Sequence, residues 1–220
     1  MKKLILYPLS ILLFNYCSPS KFVKPLEYKQ QAASVSFGGP LIGFSNLTIP
    51  VPFLNATYAY GLDTSLTGFA SVNVTSALYG NFQTELGITK QVLKQKQFVP
   101  GISLSPVVNI IYRNTDAYKI YPQLSINTFW EYGKKGNYFY TGFDNWLELS
   151  SKRQYNVNQP NRWIFVPQFG HTFDRAKWSF NIETKIIAPN LTNQKLVVDY
   201  KTPFGTHGAF GVYIGYTRNF

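Results

Sequence analysis

The sequence predicts an all-β protein, a closed antiparallel up-and-down transmembrane barrel of about ten strands. Three observations carry this expectation. Segments that alternate large apolar with small or polar residues recur from Ala33 to the end of the chain. They exceed the ~5 to 6 residues of an ordinary strand and match the ~9 to 11 that a tilted strand needs to cross a bilayer. Turn residues separate them throughout. One hairpin more or fewer would make the count eight or twelve.

Composition agrees with this class. Aromatic residues make up 17% of the 220 and charged residues only 14%, a β-rich balance. The mean hydropathy of -0.11 is near neutral. A barrel shows this value because its outward apolar residues alternate with polar inward ones. No apolar run after Cys17 is long enough for a spanning helix. The formal net charge of +11 raises the question of nucleic acid, but the basic residues are scattered or sit in turns, as at Lys94, Lys96, Lys134 and Lys135. No basic helix or zinc-finger spacing accompanies them, so no nucleic-acid partner is expected. Anionic lipid head groups tolerate such a surface.

The N-terminus has the form of an export signal: Lys2 and Lys3 precede an apolar stretch from Leu4 to Phe14. Cys17 follows at once, and this arrangement resembles a bacterial lipoprotein signal, which implies lipidation of Cys17. Bulky Tyr16 departs from the small residue that such signals prefer before the cysteine. Pro19, Pro25 and the lysines at 21, 24 and 29 interrupt any regular pattern beyond it. The expected organisation is therefore a signal over 1–17, a tether over 18–32 and a barrel domain over 33–220.

The strands follow in order. The first is expected near Ala33 to Phe44, with Val35 and Phe37 on one face. The second, Phe53 to Leu62, sets Leu54, Ala56, Tyr58 and Tyr60 against Asn55, Thr57, Ala59 and Gly61. The third, Leu66 to Leu78, sets Leu66, Ala70, Val72 and Val74 against Ser71, Asn73 and Thr75. In the fourth, Phe82, Leu86 and Ile88 oppose Gln83, Glu85, Gly87 and Thr89. The fifth, Phe98 to Arg113, turns Leu104, Val108 and Ile110 away from Ser103, Ser105 and Asn109. The sixth turns Ile120, Leu124, Ile126 and Trp130 away from Gln123, Ser125, Asn127 and Glu131.

The seventh, Tyr138 to Leu149, places Phe139, Phe143 and Leu147 opposite Gly142, Asp144 and Glu148. The eighth, Arg162 to Phe173, places Trp163, Phe165, Phe169 and Phe173 opposite Gln168, Gly170 and Thr172. In the ninth, Trp178, Phe180, Ile182 and Ile186 oppose Ser179, Asn181, Glu183 and Lys185. The last, Gly208 to Phe220, sets Phe210, Val212, Ile214, Tyr216 and Phe220 against Gly211, Gly215, Thr217 and Asn219. Charges are rare on the apolar faces, as they must be where a mid-depth Lys or Arg costs about 2 to 4 kcal/mol. Turns after even strands are short, and the two longest links follow odd strands, which is the asymmetry of a barrel with both termini on the periplasmic side.

The chain stops on Phe220, preceded at alternate positions by Tyr216, Ile214, Val212 and Phe210. This ending resembles the terminal β-signal of Gram-negative outer-membrane barrel proteins, with Arg218 as a departure. Tyr60-Gly61-Leu62-Asp63 with Leu66-Thr67-Gly68 likewise resembles the strand-turn-strand phrase of small OmpA-like and porin-like barrels. The resemblance implies residence in an outer membrane, with its lipids and the barrel-assembly machinery as partners. It implies no activity.

Chemistry-bearing constellations are sparse. His171 and His207 are the only histidines and Cys17 the only cysteine, too few for a zinc set, and no cofactor is expected. His207 and the pair Ser150 and Ser151 fall in the two long loops, the one place where a rim hydrolase is conceivable. Inward Glu85, Glu131, Asp144, Glu148 and Glu183 are candidates to pair with Arg113, Lys177 or Lys185, either as a polar filling or as a charged pore lining. The aromatics near strand ends, among them Tyr58, Trp130, Tyr132, Trp163 and Trp178, suit interfacial girdles.

The expected function is that of a structural or interaction protein of the outer membrane, not an enzyme. The alternatives are a narrow channel or a carrier of lipid or hydrophobic ligand, and a membrane-embedded hydrolase. A secreted lipocalin-like barrel is the soluble rival.

Overall fold

A computed structural model of the chain describes residues 18–113, 117–150, 158, 161–193 and 198–220. The elements are β1 (Gln31–Phe44), β2 (Leu47–Pro50), β3 (Phe53–Asp63), β4 (Leu66–Asn73), α1 (Val74–Leu78), β5 (Asn81–Leu93), β6 (Gly101–Arg113), β7 (Ala117–Tyr132), β8 (Asn137–Leu147), β9 (Trp163–Arg175), β10 (Trp178–Thr192) and β11 (His207–Asn219). Ten of the strands form one antiparallel ring, each paired with its sequence neighbour. The ring closes where β1 pairs with β11, from Ala32 opposite Asn219 to Pro40 opposite Gly211. Closure leaves no open edge, which is the condition for a sheet to cross a bilayer with every backbone group satisfied.

The eleventh strand, β2, lies outside the ring. It folds back only on the outer end of β1, Leu41 to Phe44 opposite Pro50 to Leu47. Ser45 and Asn46 make its turn with φ of 47° and 67°. Positive φ at both central positions is the two-residue hairpin conformation that Asn tolerates. The sequence pattern did not reveal this hairpin, because its four residues are too few to show a period.

The third expected strand ends early. β4 stops at Asn73, whose Oδ1 accepts a 2.8 Å hydrogen bond from Ser76 N. Asn73 thereby caps α1, and Val74, expected on the outer face of a strand, begins a helix instead. The remaining expected strands coincide with β1, β3 and β5–β11 to within a few residues at their ends.

The two faces separate as the alternation demands. Val35, Leu86 and Phe169 point outward and are 51, 49 and 56% exposed, while Asn55, Thr67, Ser103 and Glu183 point inward and are buried. Apolar side chains ring the outer surface on every strand of the barrel, and hydrocarbon is the surrounding that makes such a surface stable. Toward the short-turn end an aromatic girdle runs round it. Trp130 stacks on Phe139 at 5.2 Å, Tyr132 contacts His171, and Trp178 stacks on Tyr216 at 6.5 Å. Rings with a polar tip favour the head-group level.

Short turns at Thr64, Gly133–Gly136 and Ala176 share one end with the start of β1 and with the C-terminus, where Phe220 N bonds Gln31 O. This is the inner end below. The β2 hairpin, α1 and the links after β6, β8 and β10 share the other, outer end.

Residues 18–30 do not form a tether outside the barrel. Ser18 is buried at mid-depth beside Ser105 and Ser125, and the segment runs inside the lumen to the inner rim before entering β1. The domain therefore includes the stretch that the sequence assigned to a linker.

Candidate functional site in the lumen

The lumen is filled in three layers. At the outer end, wall side chains make an apolar cluster of Phe53, Ile111, Tyr121, Trp146, Ile164, Val166, Ile187 and Tyr213, with Tyr200 of the last loop packed onto it. Tyr200 also bridges to Ile42 of β1. None of these is among the bulky residues that line the outer face, so membrane surface and lumen core are built from opposite phases of the same strands.

Below this cluster lies a charged layer. Lys185 of β10 places Nζ 2.7 Å from Asp144 Oδ2 of β8 and 3.6 Å from Glu183 Oε1. Tyr140 Oη donates a 2.6 Å hydrogen bond to Glu183 Oε2. Glu148, just past the outer end of β8 and so above the cluster, pairs with Lys119 at 3.4 Å and accepts from Ser150 N at 2.9 Å. Four expected lumen acids, Glu85, Asp144, Glu148 and Glu183, are thus buried and partnered, as charges removed from water must be. Lys177 sits exposed in the β9–β10 turn, so it pairs with none of them: the strand ends two residues before it. Arg113 ends β6, and its side chain lies outside the described residues.

The third layer is the N-terminal segment, which supplies the cations that the wall lacks. Lys21 Nζ lies 3.6 Å from Glu85 Oε2, and Lys24 Nζ lies 2.8 Å from Glu131 Oε2. Burial pushes the Lys21 ammonium below its ordinary range, and the Glu85 carboxylate acts in the other direction. Main-chain groups are held as well. Ser20 N donates to Glu183 Oε1 at 3.0 Å, Ser103 Oγ donates to Val23 O at 2.7 Å, and Leu26 N donates to Thr67 Oγ1 at 2.7 Å. Val23 packs among Phe129, Tyr138 and Tyr140, and the Phe22 ring lies 6.5 Å from that of Phe69.

Two glycines of the wall make room for this arrangement. A Cβ on Gly61 would stand 1.8 Å from the Glu27 carbonyl oxygen, and one on Gly170 would stand 2.3 Å from the Tyr140 ring. At the rim, Lys29 N donates to Gly61 O and Gly61 N donates to Gln30 O, which ties the segment to the inner end of β3. Sequence reasoning missed the segment. The available signal was a charge imbalance, since more inward acids than inward bases were expected on the strands.

Beside the segment a cavity of about 630 Å³ opens at the inner end. Its walls are hydroxyls and amides from β1, β3, β10 and β11, such as Ser34, Thr57, Asn181 and Thr217, and Lys134, Lys135 and Arg175 belong to its rim.

The remaining candidates lie apart from the lumen. His171 faces outward in the girdle, with Nε2 2.6 Å from Tyr132 Oη. His207 is exposed, with Nδ1 3.4 Å from Thr206 Oγ1, and Ser150 bonds through its backbone to Glu148. Among the described residues no three His, Cys, Asp or Glu side chains gather into a metal-binding group. Ser151 and Cys17 lie outside the described residues. Val212, Ile214, Tyr216 and Phe220 all present their side chains outward along β11 and its end.

No family model matches the chain, and no curated protein matches it. Among solved structures, an outer membrane channel from Pseudomonas putida F1 superposes with a TM-score of 0.51 over 92% of this chain and 100% of that one, at 9% identity. The fold is that of an outer-membrane β-barrel. The NanC porin gives a TM-score of 0.48 over 84% of this chain and 98% of that one, also at 9% identity. Likeness at this identity speaks to the barrel's architecture alone.

Proposed function

We propose that the protein is an outer-membrane barrel of structural or interaction type, without catalytic activity, whose contacts are made by its outer loops and its inner mouth rather than by flow through it. The observation that carries this is the filled lumen. Wall side chains close the outer half, ion pairs cross the middle, and the chain's own N-terminal segment occupies the inner half. A ten-stranded ring is narrow enough for side chains to fill it. Export would follow from the signal-like residues up to Cys17, and the apolar ending at Phe220 would present the assembly machinery with its recognition strand.

A narrow channel is the second reading, and one observation favours it: the inner-half filling is a terminal segment held by ion pairs with open space beside it, not a wall element. Planar-bilayer recordings decide between them. The full chain and a Lys21→Ala/Lys24→Ala variant, each shown to be folded by heat-modifiable gel migration, are both expected to give no conductance steps, since the outer cluster remains. Steps from the variant would establish the channel.

A further inference from the structure

The N-terminal segment occupies its site as a ligand does. It is joined to the wall through β1, yet its recognition runs through side chains and main-chain groups of distant strands: Glu85 on β5, Glu131 on β7, Glu183 on β10, Ser103 on β6 and Thr67 on β4. Without it, Glu85 and Glu131 would keep no cation partner among the described residues, and Glu183 would lose the Ser20 N–H. The fit is also incomplete. Among the described residues the buried hydroxyls of Ser18 and Ser20 find no hydrogen-bond partner, and Lys21 Nζ meets Glu85 at 3.6 Å without a hydrogen bond. The cavity beside the segment opens to the inner side, so an incoming chain has a way in.

We infer that this half of the lumen is a binding site for an extended basic peptide arriving from the inner side, and that residues Ser20 to Leu26 are its built-in competitor. Charge and main-chain contacts together define the ligand class. Two carboxylates receive ammonium groups three residues apart, an aromatic pocket of Phe129, Tyr138 and Tyr140 receives the apolar residue between them, and Ser103 and Thr67 bond the backbone. A small cation would satisfy the carboxylates and leave the backbone partners unused. The inference is independent of conduction, since ligand enters and leaves by the same mouth.

The test uses the full chain folded in detergent and a fluorescent synthetic peptide with the sequence of residues 18–27. A competitor inside the protein lowers apparent affinity by the fraction of time the site is free. The Lys21→Ala/Lys24→Ala variant should therefore bind the peptide at least about tenfold more tightly than the native chain. Adding Glu85→Gln and Glu131→Gln should reverse that gain, and a peptide with both lysines replaced by Gln should bind neither protein. Equal binding by the native chain and the double variant, or undiminished binding of the Gln peptide, would overturn the inference. Should the variant fail to fold, the native chain serves. Excess peptide should then raise the rate of amine acetylation at Lys21, whose side chain is 8% exposed, and an unchanged rate would count equally against the site.

Discussion

Lys185 reaches across β9 to join β8 and β10: its ammonium lies 2.7 Å from Asp144, with both side chains no more than 2% exposed. A cation so enclosed is tolerable only with its carboxylate, and the second acid at 3.6 Å, Glu183, depends on the same charge. Lys185→Met is expected to destabilise the barrel by about 3 to 5 kcal/mol, because it strands two acids at once. Asp144→Asn combined with Lys185→Met should cost less than the single change. Equilibrium urea unfolding in lipid vesicles measures both, and a single variant as stable as the native chain would contradict the paired layer.

The outer face makes a second prediction. Leu86 sits at the middle of β5 pointing outward, 49% exposed. Leu86→Arg should cost about 2 to 4 kcal/mol in a bilayer, whereas Tyr118→Arg, one residue from the outer end of β7, should cost about 0 to 1. Equal, small losses at both positions would mean that the face meets water rather than hydrocarbon.

Gly61 permits the close passage of the Glu27 carbonyl at the inner rim. Gly61→Val should push the N-terminal segment off its rim hydrogen bonds while leaving the ring paired. The expected result is faster acetylation of Lys21 with unchanged heat-modifiable migration on gels. A protected Lys21 in this variant would show that the rim contacts do not hold the segment.

The buried place of Ser18 bears on Cys17. An acyl chain attached to the residue before Ser18 must lie in lipid, and Ser18 in this structure is enclosed by wall side chains at mid-depth. Lipid attachment and lumen occupancy are therefore expected to exclude one another. Mass spectrometry of acetylated protein from cells should find Lys21 modified wherever Cys17 carries lipid. A lipidated chain with a protected Lys21 would break the rule.

The sequence by itself determined the ring. Alternation fixed which residues face lipid, from Val35 on β1 to Tyr216 on β11, because a strand has no freedom to choose faces once its phase is set. Segment length set the barrel's height, and short turns against long links set its two ends. It also marked Glu85, Asp144, Glu148, Glu183 and Lys185 as inward. Only the tertiary structure decided what fills the interior. Asn73 ended β4 through a local cap, which overrode a continuing alternation. Ser18 to Gln30 carry no periodicity at all, so their place depends on contacts more than a hundred residues away, such as Lys24 with Glu131. Pattern reports local geometry, whereas charge balance inside a closed wall is settled only when the whole ring is assembled.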